Sequence, residues 1–269
     1  MKKKKNETID EQPEGLSTPS PVKAKSKTLR RTVNVFLILL IVALLGTAGW
    51  LLWQEHFPNN EPLLKHQVSE TTDQGTTSID WDALTEINAD IVGWLSIENT
   101  NIDTPIVQTS NNSTYLSTSF YGVHSTYGTP FLDYEYQWNP QSINSVIYGH
   151  SNMRDGTTVM FDILKEYRNL DYYSSHQYID YNRPDDKGGD QRFQIFAVLV
   201  EEANYDYRQI DFASDLDFIN YYTRIEDASV INTGVGVAPG DEILTLSTCI
   251  FNVGLDDGRL AIIAKKVTS

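Results

Sequence analysis

Cysteine is almost missing from this chain. Cys249 is the only one in 269 residues, so no disulfide can close within the chain and no multi-cysteine metal cluster can be built. The five histidines, His56, His66, His124, His150 and His176, are scattered without ligand spacing, and the acidic residues form no calcium-loop pattern. Neither a metal nor another cofactor is therefore expected. Internal repeats are also absent, which sets aside repeat architectures. Positive charge is scarce over most of the length. Nine of the 21 basic residues but only four of the 36 acidic ones precede residue 33, so 12 cations face 32 acids in the remainder. A region with a net charge of −20 repels phosphate, and no nucleic-acid partner is expected.

What is present begins with residues 33–53, VNVFLILLIVALLGTAGWLLW, which hold no charged side chain. At about 1.5 Å per residue this run reaches roughly 30 Å, the thickness of a hydrocarbon core. A cleavable signal has a shorter core, and here Trp50 to Trp53 continue the apolar run past the small residues 46–49. An uncleaved single-pass anchor in membrane lipid is expected. Lys2 to Lys5, Lys23, Lys25, Lys27, Arg30 and Arg31 lie before it, which predicts a cytoplasmic N-terminus and an extracellular bulk. The organisation expected is a basic cytoplasmic tail over 1–32, the anchor over 33–53, a polar stalk over 54–78 and one globular domain over 79–269.

From residue 79 the pattern changes to short apolar runs separated by turn residues. Residues 91–97, 102–107, 129–132, 143–148, 178–181, 193–200, 241–248 and 260–266 read as strands, and 81–88, 159–167 and 216–224 as helices. Eight short strands with few helices predict a mainly β fold, a closed barrel or a sandwich.

Two positions carry chemistry on this frame. Cys249 ends the run Ile243-Leu244-Thr245-Leu246-Ser247-Thr248-Cys249, ten residues before Arg259 in a second such run. A lone thiol outside a cell, near a permanent cation, reads as a nucleophile, although a buried cysteine can also serve as a small hydrophobe. His150 follows the strand 143–148 and stands at its rim. An imidazole there can return a proton to a departing amine. Arg259 can either stabilise a developing oxyanion or form a surface ion pair with Asp256 or Asp257.

Taken together, Thr245-Leu246-Ser247-Thr248-Cys249 with Arg259, Tyr148-Gly149-His150, and Trp94-Leu95-Ser96-Ile97 leading into Asn101-Ile102-Asp103-Thr104-Pro105 resemble the sortases, Gram-positive surface transpeptidases. Met153, Asp155-Gly156 and Met160-Phe161 resemble class B in particular, as does the long stretch between the 193–200 and 241–248 runs, where class B members carry an extra helix. The resemblance implies a closed eight-stranded barrel and a thioester on Cys249, with His150 and Arg259 as its catalytic partners. It further implies cleavage of a C-terminal sorting motif of secreted proteins at a Thr, and transfer to an amine of a peptidoglycan precursor or a pilin. By position, Asn112 and Leu116 are expected to line the substrate groove and Ser247 to contact the peptide. Extra residues after His150 and the pair Ile250-Phe251 depart from the family pattern.

Other readings differ in ways the sequence shows. An L,D-transpeptidase places its cysteine in a Ser-x-Gly-Cys-x-Arg setting, and a papain-like protease at the start of a helix, neither of which fits Cys249. A non-enzymatic acidic adhesin or structural ectodomain would suit the fifteen tyrosines.

Overall fold

The computed structural model describes residues 25–56, 70–71, 77–151 and 160–267. The first 24 residues of the tail, most of the expected stalk and the post-histidine stretch with Met153, Asp155, Gly156 and residues 157–159 lie outside the described residues. Two compact units result, Met1–Trp53 and Gln54–Ser269. Helix α1 (Lys25–His56), which belongs to the first unit as far as Trp53, is longer at both ends than the apolar run. Within it Arg31–Gly49 is apolar, exposed and long enough to cross a membrane.

The second unit opens with a two-residue antiparallel ladder, β1 (Glu70–Thr71) against β2 (Thr77–Ser78). Helix α2 (Trp81–Ile87) follows, started by Asp80, whose carboxylate accepts the Ala83 N–H at 2.9 Å. Eight strands then close into a barrel: β3 (Ile91–Ser96), β4 (Asp103–Val107), β5 (Phe131–Leu132), β6 (Asn144–Tyr148), β7 (Tyr178–Asn182), β8 (Asp190–Glu202), β9 (Ile243–Cys249) and β10 (Gly258–Lys266). Their order around the barrel is β10-β8-β7-β3-β4-β5-β6-β9, with β9 returning to β10. Neighbours are antiparallel except β4 with β5 and β6 with β9.

Alternation decides which side chains fill the barrel. Leu244 and Leu246 of β9 and Leu260, Ile262 and Ala264 of β10 join one buried cluster with Leu95, Ile106 and Ile195. Ile243, Ala261 and Ile263, of the opposite parity, join a second cluster under helix α4 (Asp215–Ala228). Opposite β8 the register slips between Ile263 and Ala264, which pair with Ala197 and Ile195. Phe196 is the extra residue of that bulge, so it and Ala197 both reach the α4 cluster. Helix α4 buries Phe218, Tyr221, Tyr222 and Ile225, the spacing of one helical face, and Ser214 caps it by accepting the Asp217 N–H. It is the extra helix expected between β8 and β9.

Three local expectations are corrected. The strand expected over 129–132 keeps only Phe131 and Leu132, because Thr129 donates its N–H to the Tyr115 carbonyl and Pro130 has none to give. The helix expected over 159–167 is a 3-10 stretch, Met160–Arg168. Helix α3 (Leu170–Ser175), not foreseen, restarts behind it where the Asn169 side chain accepts the Asp171 N–H at 2.8 Å.

Candidate active site

The strand pairings assemble one end of the barrel. Arg259 lies directly across from Cys249 in the β9–β10 register, and side chains so opposed project to the same face with Cβ atoms about 5 Å apart. The thiol is partly exposed at the end of its strand. The Cys249 charge acts on Arg259: burial would lower the guanidinium pKa, but the hydrogen bond to Asp257 and the charges of Cys249 and Asp257 raise it. The surface ion pair foreseen as the alternative for Arg259 also forms, with Asp257.

His150 reaches the same end through β6. Parallel pairing sets Tyr148 beside Ser247, the Gly149 N–H donates to the Ser247 carbonyl at 3.1 Å, and the Thr248 hydroxyl donates to the Gly149 carbonyl at 2.7 Å. The residue after Gly149 therefore emerges alongside the residue after Thr248. Gly149 is required there, since a Cβ would stand 2.7 Å from the Phe161 ring, and Phe161 in turn donates its N–H to the His150 carbonyl. His150 Nε2 lies 2.9 Å from the Leu116 carbonyl oxygen. Among the described residues no hydrogen bond joins His150, Arg259 or Cys249 to one another; their proximity comes from the backbone frame.

A thiol, an imidazole and a guanidinium at one rim, on a closed barrel of this strand order, narrow the comparison with known proteins. A family model described as "Sortase domain" matches residues 95–267. The chain belongs to the sortase family. Curated relatives place it in class B: sortase B of Listeria monocytogenes is 31% identical over 243 residues, 86% of this chain and 96% of its own. Sortase B of Staphylococcus aureus is 29% identical over 244 residues, 88% and 97%. The crystal structure of sortase B from B. anthracis in complex with AAEK1 superposes with a TM-score of 0.68 at 28% identity, covering 81% of this chain and 100% of that one. As a sortase, the chain is a cysteine transpeptidase.

Around the rim of this sortase, Leu116 is 43% exposed and presents its carbonyl to His150. Asn112 spends both ends of its amide on the neighbouring turn, donating to Asp133 Oδ2 and accepting from the Tyr134 N–H, each at 3.0 Å. Ser247 is 3% exposed, and its hydroxyl faces the Tyr207 hydroxyl at 2.8 Å.

Tyr207 and Asp133 were not singled out from sequence. Tyr207 is buried beside the Cys249–Arg259 pair; burial is the main cause that raises its pKa, with the Cys249 charge adding and Ser247, Arg208 and Arg259 opposing. It therefore stays a neutral hydroxyl. Asp133 accepts the Tyr148 hydroxyl at 2.7 Å as well as the Asn112 amide. Burial and the Asp133 carboxylate together keep Tyr148 protonated. No periodicity marks either residue, because each meets the site only through tertiary packing.

Proposed function

We propose that Cys249, His150 and Arg259 carry out the transpeptidation, with Cys249 as nucleophile. The observation that carries this reading is the cross-strand pairing of Cys249 with Arg259 beside the His150 segment. The thiolate sulfur attacks the carbonyl carbon at the Thr of a sorting motif, and the oxygen takes up the negative charge. Arg259 and backbone N–H groups stabilise that oxygen. As the C–N bond breaks, His150 gives its proton to the departing amine, leaving a thioester on Cys249. A neutral acceptor amine then attacks the thioester, the C–S bond breaks to release the Cys249 thiolate, and His150 takes the proton that the amine nitrogen gives up, which restores the starting pair. A thioester suits the task because amines attack it readily.

The donor proteins in this reading are secreted chains with a C-terminal motif, and the acceptor is an amine of a peptidoglycan precursor or a pilin. Leu116, exposed beside His150, would flank the bound peptide, with Asn112 holding the adjoining turn and Ser247 bracing the floor. The domain over 79–269 stands outside the cell, the apolar segment 33–53 anchors it in membrane lipid, and the basic tail stays in the cytoplasm. The apolar, exposed span of α1 supports the anchor.

The test is to incubate the full chain, in detergent, with a fluorogenic peptide library carrying Thr. Hydroxylamine, which intercepts thioesters, serves as acceptor. Cleavage with hydroxamate product by the native protein, and none by Cys249→Ala, supports the reading. Absence of any acyl-enzyme by intact mass across the library would overturn it.

A further inference from the structure

Asp257 closes the β9–β10 connection, and its carboxylate takes the outer end of the Arg259 fork. Nη1 donates to Oδ1 at 2.5 Å and Nη2 to Oδ2 at 3.2 Å, while Nη1 also donates to the Gly258 carbonyl at 3.1 Å. The Asp257 side chain is 66% exposed, and an ion pair in that setting adds little to stability. Its backbone, in contrast, is closely held. The two Glu202 carboxylate oxygens accept the Asp256 and Asp257 N–H groups, both at 3.0 Å, and the Asp257 carbonyl accepts the Ala203 N–H at 2.9 Å. Gly258 accepts the Ile250 N–H at 3.0 Å and sits so near Ile250 that a Cβ would come within 2.8 Å of its carbonyl oxygen.

A guanidinium is a rigid planar fork on a flexible stem. Gripping it by both Nη atoms fixes its plane, and among the described residues the Nε–H and one Nη2 N–H have no acceptor. Arg259 is the cross-strand partner of Cys249, so the fixed plane belongs to the residue that must meet a new negative charge during the reaction. A donor already oriented before charge develops loses no freedom at that moment. We infer that Asp257, braced by Glu202, is a positioning residue that orients Arg259 for the chemistry at Cys249. The inference rests on the proposed role of Arg259.

The experiment compares the full chain with its Asp257→Asn, Arg259→Lys and doubly substituted forms on the best-cleaved Thr-containing peptide, reading kcat, KM and Tm. Asp257→Asn should lower kcat about tenfold, with KM changed by less than about threefold and Tm by no more than about 2 °C. In the Arg259→Lys background the same change should lower kcat by less than about twofold, because the group it orients is already gone. Should Asp257→Asn fail to fold, Glu202→Gln carries the test with the same expectations. Unchanged or raised kcat on loss of Asp257, or an undiminished loss in the Arg259→Lys background, would overturn the inference. If Arg259→Lys itself turns over normally, the role of Arg259 falls and this inference with it. A collapse in Arg259→Lys with normal Asp257→Asn sinks this inference alone.

Discussion

At the scale of single residues, the site divides into groups whose chemistry is rare and groups whose roles depend on neighbours. Arg259 is of the first kind. Replacing it with Lys keeps the charge but exchanges a planar fork for a point donor, and kcat/KM should fall about 100-fold, the scale of losing one oxyanion donor. Steady-state cleavage assays read this directly, and turnover within a few fold of native would remove Arg259 from the mechanism. Ser247 and Tyr207 are of the second kind. Their hydroxyls satisfy one another at 2.8 Å in a buried setting, so Tyr207→Phe strands the serine and should cost about 1–3 kcal/mol in urea unfolding. Adding Ser247→Ala should recover part of that loss, since removing both partners leaves no orphan. A purely additive double variant would show that the pair is not coupled. This contrast explains what could be read from sequence. Cys249, His150 and Arg259 stand out because few other roles explain a sole thiol, a rim imidazole and a strand arginine together. Tyr207 is one of fifteen tyrosines, and only packing selects it.

At the scale of elements, legibility followed periodicity. The strands of β9 and β10 alternate cleanly between two buried clusters, and both were placed within two residues of their observed limits. Where a side chain or proline diverts the backbone, as at Thr129, Pro130 and Asn169, periodicity has nothing to report and the expected boundaries shifted. The bulge at Phe196 was equally silent, because an extra residue is visible only against its partner strand. Helix α4 offers a test at this scale. Glu226 lies near its C-terminus beside Asp227, where a negative charge opposes the helix dipole. Burial first, then the Asp227 charge, raise its pKa, while Lys265 lowers it. A carboxyl whose folded pKa is raised favours folding most when protonated, so its contribution is complete below the unfolded value of about 4.3 and is lost as pH rises through the folded value. Glu226→Gln should therefore raise Tm at pH 7, with the advantage shrinking as the pH falls toward 4. Thermal melts at the two pH values check this, and a gain that grows in acid would contradict it.

At the scale of the whole chain, charge is distributed along the sequence with one clear asymmetry. Nine cations against four acids precede the apolar run, whereas 12 cations face 32 acids after it. Short basic segments next to a span are retained on the cytoplasmic side, and acidic domains translocate with little resistance from their charge. In the proposed reading, the same arrangement would keep the enzyme at the membrane where secreted donors emerge, with its acidic domain on the outer side. The closed barrel adds to this, because β9 returning to β10 leaves no long unpaired edge among the described strands for a neighbouring chain to extend. Two measurements on cells expressing the chain with an N-terminal epitope test the topology together. Added protease should digest the domain after residue 53 in wall-stripped cells yet spare the epitope until the membrane is permeabilised, and alkaline carbonate should leave the full-length chain in the membrane pellet. Release of a shortened chain lacking the epitope would identify residues 33–53 as a cleaved signal, and an epitope digested in intact cells would reverse the orientation.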